Sequence, residues 1–398
     1  MESFDGTITT SYASDDDDDD LESVTTYSST VPDYAELGLV DPFDVNEPAM
    51  TAANSSKNDS SGFQSTPLLI EDRILNTNAT CPGIGYGTGG EGRSTLDELY
   101  RAFMVAINAG FRSFDSAPFY QDGAVERILG RAINDSSVPR SEFFITTKVW
   151  PTFARVPEES LKLSLKNMNL DYVDCLLLHW PIPLVPVEGD PYALGDTWDS
   201  GWDFKMTWNE MQKIPKDKAR AIGVCNFTIN RLRLLLSSST TTIVPAVLQV
   251  EGHPELPQKP LMKFCKEHNI QPFCFSPLAQ GQVMNPTILR IARKHGIDSG
   301  QVAISWAVIR GTVPLPKSVN PNRIRGNINL VELDEDDLAQ LDTLSEVPRR
   351  IVNPRALFGH DIFENNADSY ETTTYKSEDA HVSRAMPRKR RQFAVGST

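Results

Sequence analysis

The sequence predicts an α/β fold, a (β/α)8 TIM barrel over residues 65–350 with disordered N-terminal and C-terminal extensions. Three observations lead there. Eight short β-rich runs recur with starts about 25 to 47 residues apart. The intervals between them carry apolar residues at helical spacing, and most of the net charge lies in the first 62 residues. A parallel strand needs a long crossover before its neighbour can pair, so this spacing is that of repeated strand-helix units.

The leader, residues 1–64, comes first. Of the formal charge of −15, residues 1–62 hold fifteen acidic groups against Lys57 alone, about −14. "ASDDDDDDLESVTTYSS" has no apolar period that could offset the entropy of ordering it. It reads either as a docking or phosphorylation segment or as a solvating leader. It lacks the basic start and apolar stretch of a secretory signal.

The strand runs are "GIGYGT" (83–88), "FRSFDSA" (111–117), "FFITTKVW" (143–150), "DCLLLHW" (174–180), "AIGVCNF" (221–227), "AVLQVEG" (246–252), "PFCFSPL" (272–278) and "TVPLPKS" (312–318). In "STLDELYRAFMVAINAG", Thr95 and Glu98 have capping-box spacing, Leu99, Ala102, Phe103, Ala106 and Ile107 share one face, and Gly110 suits the stop. "GAVERILGRAI" repeats Val125, Ile128, Leu129 and Ala132 on one side. "PEESLKLSLKNM" opens with acidic residues that favour a helix N-terminus and repeats Leu161, Leu165 and Met168. The tail, 351–398, is expected to be irregular, and its Arg384 and 387–391 cluster "PRKRR" reads as a nuclear-entry signal, an anionic-surface patch or a solvated run.

The longest apolar passage, 175–187, is short and broken by prolines, which argues against a membrane span. Five cysteines without paired spacing argue against a disulfide framework and a structural metal. A soluble, cytoplasmic monomer is expected, with neither nucleic acid nor membrane as partner and no metal.

Barrel active sites lie at the C-terminal ends of the strands. Those ends offer Asp115 with nearby Tyr120, Lys148 with Trp150, His179 with Trp180, Asn226, Gln249, Ser276, and Lys317 with Ser318. A histidine ending a strand is ordinarily a satisfied core side chain. A Tyr, a Lys, an Asp and a His at one mouth form a chemical set. A phenol with an ordinary pKa near ~10 holds its proton too tightly for exchange at neutral pH. An ammonium beside it lowers that pKa, a carboxylate orients the ammonium, and an imidazole, neutral or charged, orients a carbonyl oxygen. That set suits proton delivery to a carbonyl becoming an alkoxide. The hydride must come from a cofactor, and "GIGYGTGG" does not meet the dinucleotide fingerprint. "PKSVNPNRIRGN", after the eighth strand, supplies Lys317, Ser318 and Arg323 where barrels bind phosphate.

From about residue 67 to 350 the chain resembles the aldo-keto reductase superfamily. "FRSFDSAPFY", "ITTKVWP", "LDYVDCLLLHWP", "RAIGVCNF", "QVEGHPELPQ", "FSPLAQG" and "PLPKSVNPNRIRGN" match in order, and "DSGWDFKMTWNEMQK" with "RRIVNP" look most like its fungal glycerol and glyceraldehyde reductase branch. The resemblance implies NADPH-dependent reduction of a small-molecule aldehyde or ketone, with a tetrad on Asp115, Tyr120, Lys148 and His179 and Tyr120 as general acid. It implies Asn226 and Gln249 at the nicotinamide carboxamide, and Phe275, flanked by Ser276 and Leu278, at the ring. Lys317 and Arg323 would hold the adenosine 2′-phosphate, with Ser318 and Val319 also binding the cofactor, Asn327 would reach the adenine, and Trp150 and Trp180 would line the substrate pocket. Cys225, Phe275 and Gly326 replace the family's usual serine, tyrosine and glutamate. Gly89 lacks the usual tryptophan after "GT", and Pro118 stands where a larger residue is usual. The alternative is an NADPH-binding regulatory or scaffold subunit.

Overall fold

The computed structural model describes residues 65–89, 94–193, 195, 197–281, 285–352, 355–358 and 362–363. The acidic leader, 1–64, and the basic cluster at 387–391 lie outside them. Among the described residues the strands are β1 (Arg73–Ile74), β2 (Thr80–Cys81), β3 (Tyr86–Gly87), β4 (Ser113–Asp115), β5 (Phe144–Val149), β6 (Val173–Leu178), β7 (Ala219–Cys225), β8 (Val247–Glu251), β9 (Gln271–Phe275) and β10 (Val313–Leu315). The helices are α1 (Leu96–Ala109), α2 (Ala124–Asp135), α3 (Pro157–Met168), α4 (Phe204–Met211), α5 (Ile229–Leu236), α6 (Lys259–Glu267), α7 (Pro286–His295), α8 (Ser299–Ile309), α9 (Pro321–Gly326), α10 (Glu335–Thr343) and α11 (Arg355–Phe358).

Strands β3 to β10 pair in sequence order, all parallel, with registers such as Asp115 to Thr146 and Cys225 to Gln249. Each of the eight predicted runs contains or overlaps one of them. The seam between first and last strand closes through Gly85 N–H to Pro314 O and Gly87 N–H to Pro316 O, both 3.0 Å. Two glycines are required there, because a Cβ on Gly87 would lie 2.7 Å from the Leu315 carbonyl oxygen and one on Gly85 2.6 Å from the Leu315 side chain. The family barrel predicted from sequence is the fold of the described chain.

Two apolar layers hold it. One lies between strands and helices, where Phe103, Phe114, Leu129, Leu176 and Leu232 are buried. The other fills the barrel with Phe144, Cys175, Leu177, Phe273 and Leu315. The antiparallel β1–β2 hairpin contributes Leu75 and Cys81 to this inner layer, so it stoppers the end opposite the mouth. The capping box at α1 forms in both directions, with Glu98 N–H 3.2 Å from Thr95 Oγ1 and Thr95 N–H 2.8 Å from Glu98 Oε2. Gly110 closes that helix at φ 105°.

Candidate active site

Successive strands deliver the polar side chains to one mouth. Asp115 ends β4, Lys148 is next to last in β5, His179 follows β6, Asn226 follows β7, and Gln249 lies in β8. Lys148 Nζ donates to Asp115 Oδ2 at 2.6 Å and to the Ser116 carbonyl oxygen at 2.9 Å. Gln249 Nε2 donates to Asp115 Oδ1 at 2.7 Å, so both carboxylate oxygens are engaged. The ammonium therefore has a fixed position and a fixed charge.

Tyr120 comes from the turn after β4. Gln121, Asp122 and Gly123 all adopt left-handed φ values, 48°, 54° and 74°, which reverse the chain sharply into α2. The buried Glu126 then ties α2 to the strand that carries Lys148, accepting from Thr147 Oγ1 at 2.7 Å and from Asn167 Nδ2 at 2.9 Å. Burial pushes the Glu126 carboxyl above its ordinary range. The Tyr120 ring centroid is 5.4 Å from Lys148 Nζ and meets the His179 ring edge-on at 6.2 Å. Gly89 leaves room for the phenol, since a Cβ there would stand 3.0 Å from Tyr120 Oη.

Burial pushes the Tyr120 phenol up to about 12; Lys148 pulls against this and Asp115 with it. The sequence expectation that the ammonium brings the phenol down is met in direction by Lys148 alone, and desolvation outweighs it. Burial also disfavours the Lys148 ammonium, but Asp115 and Tyr120 hold its pKa above the ordinary lysine range. His179 goes the other way: burial, then the Lys148 charge, holds it well below the usual imidazole range. At neutral pH the mouth presents a protonated phenol, a charged lysine and a neutral imidazole.

Asn226 sits at φ 62°, donates from Nδ2 to the His179 carbonyl oxygen at 3.0 Å, and keeps its Oδ1 buried with no partner among the described residues. Cys225 Sγ donates to Gln249 Oε1 at 3.7 Å. Gln249 thus spends its amide on Asp115 and Cys225, leaving Asn226 Oδ1 as the open acceptor. A carboxamide N–H fits that acceptor, and the half-buried Lys317 and exposed Arg323 supply cations further round the mouth. The residues present fit a phosphorylated nicotinamide cofactor. Ser318 is held by Tyr86, whose hydroxyl donates to its carbonyl oxygen, and by its own Oγ, which accepts from Asn320 N–H at 3.1 Å. Phe275 ends β9, and Ser276 at φ 50° turns the chain toward Leu278. Val319 and Arg323 are exposed, and Asn327 is buried at the end of α9.

Trp150 and Trp180 belong to an apolar cluster with Ile182, Leu184, Phe358, Ile362 and Phe363. Trp150 stacks on Phe119 at 4.0 Å and meets His179 edge-on at 5.2 Å; Phe358 lies 5.4 Å from Trp180 and 6.0 Å from Trp150. Sequence reasoning did not select Phe119, Phe358, Ser116, Glu126 or Tyr86. Phe119 was the most accessible of these, lying beside Tyr120 in "SAPFY". Among the described residues no group of three His, Cys, Asp or Glu is placed to hold a metal, and no helix is long and apolar enough to cross a membrane. The five cysteines are free and buried.

A (β/α)8 barrel whose mouth gathers a phenol, a lysine-aspartate pair and a neutral imidazole defines an oxidoreductase that acts on carbonyl groups. The aldo/keto reductase family model matches residues 83–346. The chain is 42% identical over 297 residues to aldehyde reductase YPR1 of Saccharomyces cerevisiae, covering 70% of this chain and 93% of the relative. It is 41% identical over 298 residues to glycerol 2-dehydrogenase (NADP(+)) of the same yeast, with 70% and 93% covered, and 35% identical over 274 residues to methylglyoxal reductase DkgA of Escherichia coli O157:H7, with 67% and 91% covered. The chain belongs to the aldo/keto reductase family of oxidoreductases.

Proposed function

We propose that Tyr120 is the general acid in reduction of an aldehyde or ketone to an alcohol, with Lys148, Asp115 and His179 setting its position and charge. The buried Lys148–Asp115 pair beside the Tyr120 ring is the observation that carries this reading. NADPH, when bound, supplies the hydride that reduces the carbonyl carbon. Tyr120 gives its proton to the carbonyl oxygen as that oxygen gains negative charge. A phenol with its pKa raised is fully protonated at neutral pH, and the Lys148 charge stabilises the phenolate left behind. Neutral His179 orients the carbonyl oxygen without competing for the proton.

Asn226 binds the carboxamide in this reading, with Gln249 contributing through Asp115 and Cys225. Phe275, Ser276 and Leu278 flank the nicotinamide ring, Lys317, Ser318, Val319 and Arg323 take the 2′-phosphate end, and Asn327 the adenine. Trp150 and Trp180 line the substrate pocket. The yeast relatives support a fungal-type reductase of small carbonyl compounds. We place it in the cytoplasm as a monomer, with 1–64 and 351–398 as extensions of a barrel over 65–350.

The test is NADPH oxidation by the full chain with a short aldehyde and an aryl aldehyde, with NADH as control. Tyr120→Phe should lower kcat by about 10²–10⁴-fold, the usual contribution of a positioned acid, with NADPH affinity retained. NADPH binding by the wild-type chain without turnover would favour the regulatory-subunit reading instead.

A further inference from the structure

Glu251, the last residue of β8, carries a carboxylate that is 0% exposed and takes no part in the proton chemistry. Its partners account for it. His253 Nε2 lies 3.1 Å from Oε1, the Ile351 N–H donates to Oε1 at 2.8 Å, the Val352 N–H donates to Oε2 at 2.9 Å, and an Arg350 guanidinium nitrogen stands 4.0 Å from Oε2. Burial acts to raise its pKa, but His253, Arg350 and the backbone donor hold the carboxyl below its ordinary range. Three of the four partners belong to residues 350–352, about a hundred positions further along the chain, which is far beyond any local turn.

Two successive backbone N–H groups on the two oxygens of one buried carboxylate pin the segment to the end of β8 by charge-assisted bonds. Four further contacts hold the same segment. Arg349 reaches Glu255 Oε2 through Nε at 2.8 Å while its N–H donates to the Glu255 carbonyl oxygen at 3.1 Å. Arg231 donates to the Ile362 carbonyl oxygen, and the Arg350 guanidinium lies 3.9 Å above the Phe363 ring. Phe358, Ile362 and Phe363 are what the segment brings to the mouth, where Phe358 meets both Trp150 and Trp180.

We infer that Glu251 is a positioning residue for substrate choice: its carboxylate fixes the segment that sets Phe358 against Trp150 and Trp180, so the completed wall favours carbonyl compounds with an aryl or branched apolar body over short aldehydes. The inference rests on the reading of Trp150 and Trp180 as the substrate pocket. The Glu251 backbone pairs beside Phe275 in the sheet, but its carboxylate bonds only His253 and residues 350–352, so the signature is a change in discrimination.

Steady-state kinetics of the full chain with NADPH, using propanal and 4-nitrobenzaldehyde, read that signature. Glu251→Gln should raise KM for the aryl aldehyde at least about tenfold, the scale of a lost apolar contact, with kcat/KM for propanal within about twofold. The Kd for NADPH, read by quenching of cofactor fluorescence, should not change. Adding Glu251→Gln to Phe358→Ala should cost little more, since both remove the same contact. Arg349→Ala, a milder loosening of the same segment, should move the substrate ratio in the same direction and decides the matter if Glu251→Gln does not fold. Equal loss on both aldehydes, a weakened NADPH Kd, or an unchanged ratio overturns the inference. Trp180→Ala separates the two levels: an unchanged ratio there overturns the pocket reading itself, whereas a shifted ratio with Glu251→Gln unaltered overturns only the role of Glu251.

Discussion

His179 has to remain neutral beside a permanently charged lysine, and that requirement carries a cost in acid. Its folded pKa is depressed by burial and by Lys148, while in the unfolded chain it returns to about 6.5. Between those two values the unfolded state binds a proton that the native state does not, so stability rises with pH across that window. The contribution is complete above about pH 6.5 and falls as pH drops below it, by at most about 1.4 kcal/mol per pH unit for one group. Urea unfolding of the wild type at pH 7 and pH 5.5 should therefore show a larger acid loss than His179→Gln, which has no proton to gain. Equal losses would mean that His179 takes up its proton in the native state as it does in the unfolded chain. The candidate residues themselves were legible in the sequence, because each is the polar end of an apolar run: Asp115, Lys148 and His179 could be read without coordinates. Their couplings were not legible. The Gln249–Asp115 bond spans 134 positions, and the upward shift of Tyr120 comes from desolvation, which has no signature in spacing.

At the scale of elements, close approach decides what sequence periodicity cannot. Helix α2 crosses α3 at Gly130, where an added Cβ would lie 2.0 Å from the Met168 carbonyl oxygen, a backbone atom that cannot swing aside. Gly300, early in α8, has only Leu278 side-chain atoms nearby, the nearest at 3.4 Å. The two glycines should thus respond oppositely to the same methyl group. Gly130→Ala should destabilise by about 1–3 kcal/mol or prevent folding, the usual result of overpacking. Gly300→Ala should be neutral or stabilise by up to about 1 kcal/mol through lower unfolded-state entropy. Denaturant midpoints of both variants check this, and a well-folded Gly130→Ala would show that the α2–α3 contact is softer than its geometry. The barrel strands and the first three helices were legible because short β-rich runs recur at strand-helix spacing and the helices repeat apolar residues on one face. The β1–β2 hairpin was not, since its two-residue strands lie before the first repeat unit and carry no period of their own. The interval from 272 to 312 holds both α7 and α8, and spacing alone offers no means of counting two helices there.

The whole molecule depends on where its working part ends. Sequence pattern places that end near 350, where strand and helix alternation stops, and treats the remainder as an irregular tail. Yet the described residues just beyond 350 supply N–H donors to Glu251 and three apolar side chains to the mouth. Irregular backbone has no period to read, so contacts of this kind are visible only once β8 and the segment are seen together. We propose that the working part extends past the 65–350 barrel to about 363, and two C-terminal truncations distinguish that end from 350. A chain ending at 363 should keep kcat and KM within about twofold of the full protein, because it retains every described contact to the mouth. A chain ending at 350 leaves the Glu251 carboxylate buried without its two backbone donors, a loss of about 1–3 kcal/mol for an unsatisfied buried group and more for a charged one. Its Tm should fall and its KM for an aryl aldehyde should rise, while NADPH still binds, since the residues proposed to hold it, Asn226, Lys317 and Arg323, are untouched. Matching activity and Tm in the two truncations would return the boundary to 350 and make the contacts of 351–363 incidental. Deleting 1–64 should leave catalysis unchanged in either background, because the side chains that build the mouth as described all come from after residue 65.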